Sequence, residues 1–231
     1  MNSLRSEFYT KCLNAFRYKS RRQVIIAVEY WLGISEKVGL KIRNIRGIKT
    51  VCQKGCSRCC RLHVSLITPC VFFLAEKLKT EFSDSKLYFI KKRLKQRADI
   101  VSVFNEDSYR VKCVFCGNST GQCVIYGFRP EPCRRFIASN EKDCLKNNGS
   151  PEQDGTLYYE LTLLSTIFSL TAHKNGLYVD SHEMSQALFL ALDEPSLFNQ
   201  WLNGAANIIP GVAWEDYHEG LKQAEPLFKI M

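Results

Sequence analysis

The stretch "VCQKGCSRCC", residues 51–60, places four cysteines within nine positions: Cys52, Cys56, Cys59 and Cys60. On an ideal helix this spacing would bring all four sulfurs within about 100° of arc. Gly55 instead favours a turn, in which backbone N–H groups can point at sulfur. The thiols converge in either geometry, so the stretch indicates a bound partner.

A second group of cysteines lies in "CVFCGNSTGQCVIYGFRPEPCRRF", residues 113–136. It contains Cys113, Cys116, Cys123 and Cys133, and Cys144 follows eleven residues later. The surrounding residues 105–155 show little periodicity and are rich in Gly, Pro, Asn and Cys, which predicts an irregular region. A loop of this length in a compact domain needs something besides secondary structure to organise it, and metal ligation would do so.

The composition indicates a globular chain of 231 residues, 45% hydrophobic and 24% charged, whose core can form without disulfides. The N-terminal residues "MNSLRSEFYTKC" carry charges where a secretory signal would be apolar. The longest apolar runs, 24–32 and 161–172, are shorter than the roughly 20 residues that cross a bilayer. We therefore expect a soluble, cytoplasmic protein without a membrane partner.

A reducing compartment makes clustered cysteines metal ligands or catalytic groups rather than disulfides. The total of eleven cysteines is odd, so they cannot all pair in disulfides within the chain. A disulfide framework is the alternative if the chain is secreted. The formal charge of +9 counts every cysteine as neutral, so the excess of Lys and Arg is partly counter-charge for thiolates. It is weak support for nucleic acid binding, which we do not expect.

The rest of the chain reads as helical, and the sequence predicts a mainly α fold with an irregular cysteine-rich metal-binding middle region. We divide it into an N-terminal helical segment (1–50), the cysteine-cluster region (51–150) and a C-terminal helical segment (151–231), packed as one domain. Gly33 and Gly39 are plausible helix stops in the first segment. Cys12 and Cys70 are expected in the core.

Further helices are expected after a short extended stretch, from near Pro69, and over residues 84–100, 156–173 and 212–229. In residues 84–100, Lys and Arg surround one apolar face; we interpret them as a solvated basic surface, with phosphate binding as the alternative. Asp180 followed by Glu183 resembles a capping box and predicts a helix that starts there and stops before Pro195.

The cysteine pattern resembles the YkgJ-like cysteine-cluster family, small zinc- or iron-chelating domains that share their motif with flagellin lysine N-methylases. The resemblance covers roughly residues 50–145 and leaves both helical ends outside it. Matching positions are Cys52, Gly55, Cys56, Cys59, Cys60, Cys113, Phe115, Gly121, Cys123, Ile125, Tyr126, Arg129, Pro130, Cys133, Arg134, Phe136 and Cys144.

This resemblance implies a metal or iron–sulfur centre held by eight cysteines: Cys52, Cys56, Cys59, Cys60, Cys113, Cys123, Cys133 and Cys144. The family usually has Pro and an aliphatic residue where this chain has Val114 and Cys116. Cys116 is therefore either an extra ligand or a spare thiol.

The segment "RPEPCRRF", residues 129–136, suggests how Cys133 is placed. Pro130 and Pro132 would hold the backbone extended before the metal binds. The three arginines would balance the negative sulfurs, with binding of a carboxylate by Arg134 as the alternative. We expect His63 to be a hydrogen-bonding neighbour of the centre rather than a ligand.

Two other interpretations use the same thiols. The spacing Cys52-x3-Cys56-x2-Cys59 also resembles the 4Fe–4S motif of radical S-adenosylmethionine enzymes, but the flanking sequence does not alternate strand and helix as their barrel does. A zinc ribbon could use Cys113 and Cys116, yet a second C-x2-C is missing. Glycine-rich nucleotide loops, G-x-S-x-G and H-E-x-x-H are all absent.

The sequence thus predicts a metalloprotein that binds zinc or iron, in which iron could form a 4Fe–4S cluster. The alternative is an enzyme of the flagellin lysine N-methylase type, which would use S-adenosylmethionine and act on a protein substrate. The number of protein ligands on each metal distinguishes these two functions. Four sulfurs per metal indicate a structural centre, whereas three protein ligands and an open coordination position indicate a catalytic one.

Overall fold

The computed structural model describes residues 2–102, 104, 108–117, 121–146, 152–212 and 217–224. Helices make up 64% of the structure and the only sheet in the described residues has two strands, so the predicted mainly α class is confirmed. The helices are α1 (Asn2–Arg17), α2 (Arg21–Arg46), α3 (Thr68–Glu81), α4 (Asp84–Val101), α5 (Glu131–Arg135), α6 (Glu141–Lys146), α7 (Gly155–Lys174), α8 (Met184–Asp193), α9 (Ser196–Leu202) and α10 (Tyr217–Ala224). None of the described helices is both long and apolar enough to cross a bilayer.

Helix α2 runs through both glycines that the sequence suggested as stops, so that prediction is wrong. The helix begins at the N-cap Ser20, whose side chain accepts a hydrogen bond from the N–H of Gln23, and ends at Gly47 in the left-handed region (φ 64°). Its apolar face buries a row of side chains from Val24 to Ile42. This burial outweighs a cost of about 1 kcal/mol for each internal glycine.

The two strands form a short antiparallel pair, in which β1 (Ser65–Ile67) lies beside β2 (Ser181–Glu183). The expected helix start at Asp180 is wrong, because residues 181–183 pair with β1 before α8 begins. Asp180 instead accepts a hydrogen bond from its neighbour Ser181 (2.8 Å). The cap of α8 is Glu183, whose carboxylate accepts from the N–H of Gln186 (2.8 Å).

One hydrophobic core includes buried residues from all three segments of the chain. Helices α1 and α2 pack on α7, while α3 and α4 pack on α8. The rings of Trp31 in α2 and Phe168 in α7 stack 4.6 Å apart. Cys12 and Cys70 are buried in this core as expected, with 0% and 2% of their surface exposed.

The middle region is irregular in its described parts, as predicted. It contains a 3-10 turn (Tyr126–Phe128) and two helices of at most six residues, α5 and α6. Residues 105–107, 118–120 and 147–151, which the prediction also covered, lie outside the described residues. Only Pro130 is extended as expected (ψ 161°), because Pro132 and Cys133 belong to the first turn of α5.

Candidate metal centre

We call residues 51–60 the first cysteine block and residues 113–136 the second. The two blocks meet through their backbones. The N–H of Cys113 donates to the carbonyl oxygen of Cys60 over 2.7 Å. Close by, Gly121 approaches the first block so tightly that a Cβ there would lie 3.0 Å from Ser57 Oγ and 3.1 Å from the carbonyl oxygen of Gly55. Both glycines have positive φ, 96° at Gly55 and 65° at Gly121, which favours glycine at each turn. The first block is therefore a turn and not a helix.

Five thiols lie together where the blocks meet, and we call them the inner group: Cys59, Cys60, Cys113, Cys123 and Cys133. Each influences the ionisation of others in the group, which places them within electrostatic range. The Cys60 thiol donates a hydrogen bond to Cys59, which lowers the pKa of Cys59 to about 7 and raises that of Cys60. This pair therefore carries one negative charge most readily at Cys59.

Burial dominates the ionisation of the remaining inner thiols. It raises the pKa of Cys113 to about 12 and also raises the pKa of Cys133, where the neighbouring Cys113 thiol adds to the effect. The Arg129 guanidinium acts in the opposite direction on the pKa of Cys59, Cys123 and Cys133. A bound cation would favour the thiolate forms of these buried groups far more strongly.

The other three predicted ligands form an outer group: Cys52, Cys56 and Cys144. They line a cavity of about 420 Å³ together with Arg58 and Glu141, and these two residues form an ion pair. The N–H of Ala138 donates to Cys52 Sγ (3.2 Å). Burial raises the pKa of Cys144, with smaller contributions from Cys52, Cys56 and Cys59. Cys59 thus lies within electrostatic range of both groups.

The donor set fits zinc or iron in its chemistry. All eleven cysteines are free thiols, and sulfur ligands select zinc and iron–sulfur centres. As placed, however, no three His, Cys, Asp or Glu side chains among the described residues are arranged to hold a metal ion. Rotation about χ1, which moves a thiol between staggered positions, is therefore needed for ligation.

Cys116 is a sixth sulfur beside the inner group, with 1% of its surface exposed. Its thiol donates to the carbonyl oxygens of Gly117 (3.8 Å) and Gly121 (3.7 Å). Both contacts direct the thiol toward backbone carbonyl oxygens. This contact supports the spare-thiol interpretation over the extra-ligand one.

The three arginines of the "RPEPCRRF" segment have different surroundings. Arg129 lies over the ring of Tyr126 (4.3 Å) and within electrostatic range of the inner thiols. Arg134 donates to the carbonyl oxygens of Arg129 (2.9 Å) and Gly127 (2.7 Å) and also to the Glu36 carboxylate (3.3 Å), so it contacts both the backbone beside Cys133 and a carboxylate of α2. Arg135 donates to Thr162 in α7 (2.9 Å). His63 shares a hydrogen bond with Ser65 Oγ (3.3 Å) through Nδ1, which is consistent with its expected role as a neighbour.

A larger cavity of about 680 Å³ lies between the inner group and the helical core. Cys59 and Cys133 line it together with Trp31 and Glu131. Trp31 Nε1 and Glu131 Oε1 are buried and have no hydrogen-bond partner, although Arg135 Nε lies 3.7 Å from that carboxylate. Burial raises the pKa of Glu131 to about 7. No sequence motif indicates this cavity, because its walls come from segments that are distant in the chain.

Residues 51–150 match the model of the CxxCxxCC family, whose description is "Putative zinc- or iron-chelating domain". This range contains both cysteine blocks and Cys144, and it agrees with the resemblance seen in the sequence. Comparison with curated proteins and with solved structures gave no significant match. The match over residues 51–150 thus agrees with the resemblance and supports a metal-binding cysteine-cluster protein.

Proposed function

We propose that the chain holds zinc or iron in two four-sulfur sites built from the eight cysteines named above. The inner site uses Cys60, Cys113, Cys123 and Cys133. The outer site uses Cys52, Cys56 and Cys144, with Cys59 as its fourth ligand, because Cys59 lies within electrostatic range of Cys144. Four thiolates match the closed coordination that structural zinc and iron–sulfur centres share.

The observation that carries this proposal is the meeting of the two blocks at the Cys113–Cys60 hydrogen bond (2.7 Å). It brings thiols that are more than fifty residues apart in sequence into one group without a disulfide. Burial raises the pKa of Cys113, Cys123 and Cys133 in this group, and a metal ion relieves that cost by favouring their thiolates. The Ala138 N–H at Cys52 and the Arg129 guanidinium supply further positive potential.

The metal would also stabilise the fold. A structural zinc contributes an apparent ~10–16 kcal/mol, comparable with the ~5–15 kcal/mol total stability of a domain. The three segments would then form one domain, which their shared core supports. A reducing, cytoplasmic location would keep the thiols available for the metal.

A second candidate is an enzyme that transfers methyl groups to protein lysines or catalyses a redox reaction, with iron at an incompletely ligated site. The cavity of about 680 Å³ favours this candidate, because its volume lies in the range of ligand pockets. Trp31 and Glu131, which line the cavity together with Cys59 and Cys133, each have a buried polar atom without a hydrogen-bond partner. S-adenosylmethionine and a protein substrate are implied only under this alternative.

Elemental analysis of protein purified without oxygen, together with acid-labile sulfide and the visible spectrum, tests the proposal. We expect two metal sites per chain; zinc without colour indicates closed structural sites, and iron with sulfide and broad visible absorbance indicates a cluster. Protein free of zinc and iron would contradict the proposal. X-ray absorption at the metal edge then counts sulfurs, since four favour the structural function and three with a lighter atom favour the enzyme.

A further inference from the structure

Cys116 and Cys123 face each other across a short antiparallel bridge. Two hydrogen bonds flank them: Gly117 N–H to the oxygen of Gln122 (2.9 Å), and Val124 N–H to the oxygen of Phe115 (2.9 Å). Neither bond belongs to the two cysteines themselves. They therefore form a non-hydrogen-bonded pair, the arrangement in which opposite side chains of an antiparallel ladder are nearest.

This arrangement suits a disulfide. Cα atoms of a non-hydrogen-bonded pair lie about 4.5 Å apart, which falls within the roughly 4.4–6.8 Å that disulfides span. The two sulfurs differ in access, because Cys116 is buried while Cys123 is partly exposed. An oxidant in solvent would therefore reach Cys123 first.

We propose that Cys116 and Cys123 are a redox modification site, at which a hydroperoxide joins them in a cross-strand disulfide that competes with metal. The competition rests on the proposed function of Cys123 as an inner ligand. A sulfur in a disulfide has no thiolate left for a metal, so oxidation opens the inner site. Cys116 is suited to this role because its thiol donates to two carbonyl oxygens and it is not one of the proposed ligands.

The chemistry balances in two steps. The Cys123 thiolate attacks one oxygen of the hydroperoxide and breaks the O–O bond, which gives a sulfenic acid and an alcohol, or water from hydrogen peroxide, after proton uptake. The sulfur of Cys116 then attacks the sulfenic sulfur, forms the S–S bond and displaces water as its own proton leaves. Two thiols are oxidised and one hydroperoxide is reduced.

The test treats metal-loaded full-length protein with hydrogen peroxide. Non-reducing peptide mapping identifies the disulfide, and a coloured chelator follows released metal. We expect a Cys116–Cys123 linkage, loss of two free thiols per chain, loss of the inner metal, and recovery of both after reduction and reloading. Cys116→Ala should bind the same amount of metal before oxidation but form no reversible linkage at Cys123, which proceeds to irreversible oxidised forms.

Cys12→Ala is the matched control, since Cys12 is also buried but lies in the helical core, and it should behave as the unchanged protein does. The inference is overturned if Cys123 pairs with a different cysteine, or if Cys116→Ala releases and regains metal as the unchanged protein does. Protein that holds no metal before oxidation would overturn the proposed function, and the competition with it. Metal-loaded protein that forms no disulfide would overturn the redox site alone.

Discussion

The backbone of Cys113 donates a hydrogen bond to the carbonyl oxygen of Cys60, over 2.7 Å. This backbone contact joins the two cysteine blocks at two cysteine residues. The close approach of Gly121 to the carbonyl oxygen of Gly55 brings the turns at these two glycines together. The side chains of both cysteines enter the same inner group. Main-chain contacts thus bring the two groups of cysteines close together in the folded chain.

Replacing a proposed ligand should remove metal. We expect Cys133→Ser to lose the inner metal and Cys56→Ser the outer one, because a serine hydroxyl is a poor ligand for zinc or iron beside thiolates. Cys12→Ser should keep both, as a buried residue outside the groups. Metal content per chain by elemental analysis is the measurement. Full metal content in Cys56→Ser would show that the outer assignment is wrong.

Removing the metal should unfold the middle region before the helical core. The described residues between 108 and 146 have only short elements, whereas α2 and α7 bury their apolar faces in the shared core. After treatment with a chelator under reducing conditions, we expect amide exchange to accelerate in the middle region and to stay slow in α2 and α7. If amide exchange accelerated equally throughout the chain, the prediction that the middle region unfolds before the helical core would be wrong.

Gly121→Ala should weaken metal binding. The added Cβ would press on the carbonyl oxygen of Gly55 at 3.1 Å, and the positive φ alone costs about 1–2 kcal/mol for a residue with a Cβ. Gly33→Ala is the control, because Gly33 has open space around it inside α2 and alanine there should stabilise by about 0.5–1 kcal/mol. Denaturant unfolding and metal titration measure both effects. Unchanged metal affinity in Gly121→Ala would show that the close approach does not position the thiols.

His182 is expected to make stability depend on pH. Its Nδ1 donates to the carbonyl oxygen of Pro210 (2.9 Å), so the neutral ring accepts at Nε2 from Thr68 Oγ1 (2.8 Å). Burial lowers the pKa of His182 in the folded protein. The unfolded chain therefore binds more protons below about pH 6.5, and stability falls as the pH falls through that value.

The variant His182→Gln isolates this effect, because glutamine can hydrogen-bond but does not titrate in this range. We expect its unfolding free energy to fall less steeply than that of the unchanged protein between about pH 7 and 5, by at most about 1.4 kcal/mol per pH unit. Denaturant titrations at several pH values give both slopes. Equal slopes would show that His182 does not protonate on unfolding.

Much of the fold could be predicted from local pattern, because helical periodicity and glycine or proline signals act within a few residues. The helix from near Pro69 and the helix expected over 156–173 follow such signals; the second is α7, which is followed by Gly176 with positive φ (71°). The predictions failed where tertiary contacts outweighed local preference. Burial carried α2 through Gly33 and Gly39, and pairing with Ser65–Ile67 made residues 181–183 a strand.

The sequence by itself determined the chemistry of the centre, since the number, spacing and residue type of the cysteines already indicate soft metals. Only the tertiary structure decided which thiols are neighbours: it placed Cys144 with Cys52 and Cys56, and Cys133 with Cys113. It also brought Trp31 from α2 and Glu131 from α5 to the wall of one cavity that no motif indicates. The physical reason is that ligand chemistry resides in single side chains, whereas proximity depends on backbone contacts and packing between residues far apart in the chain.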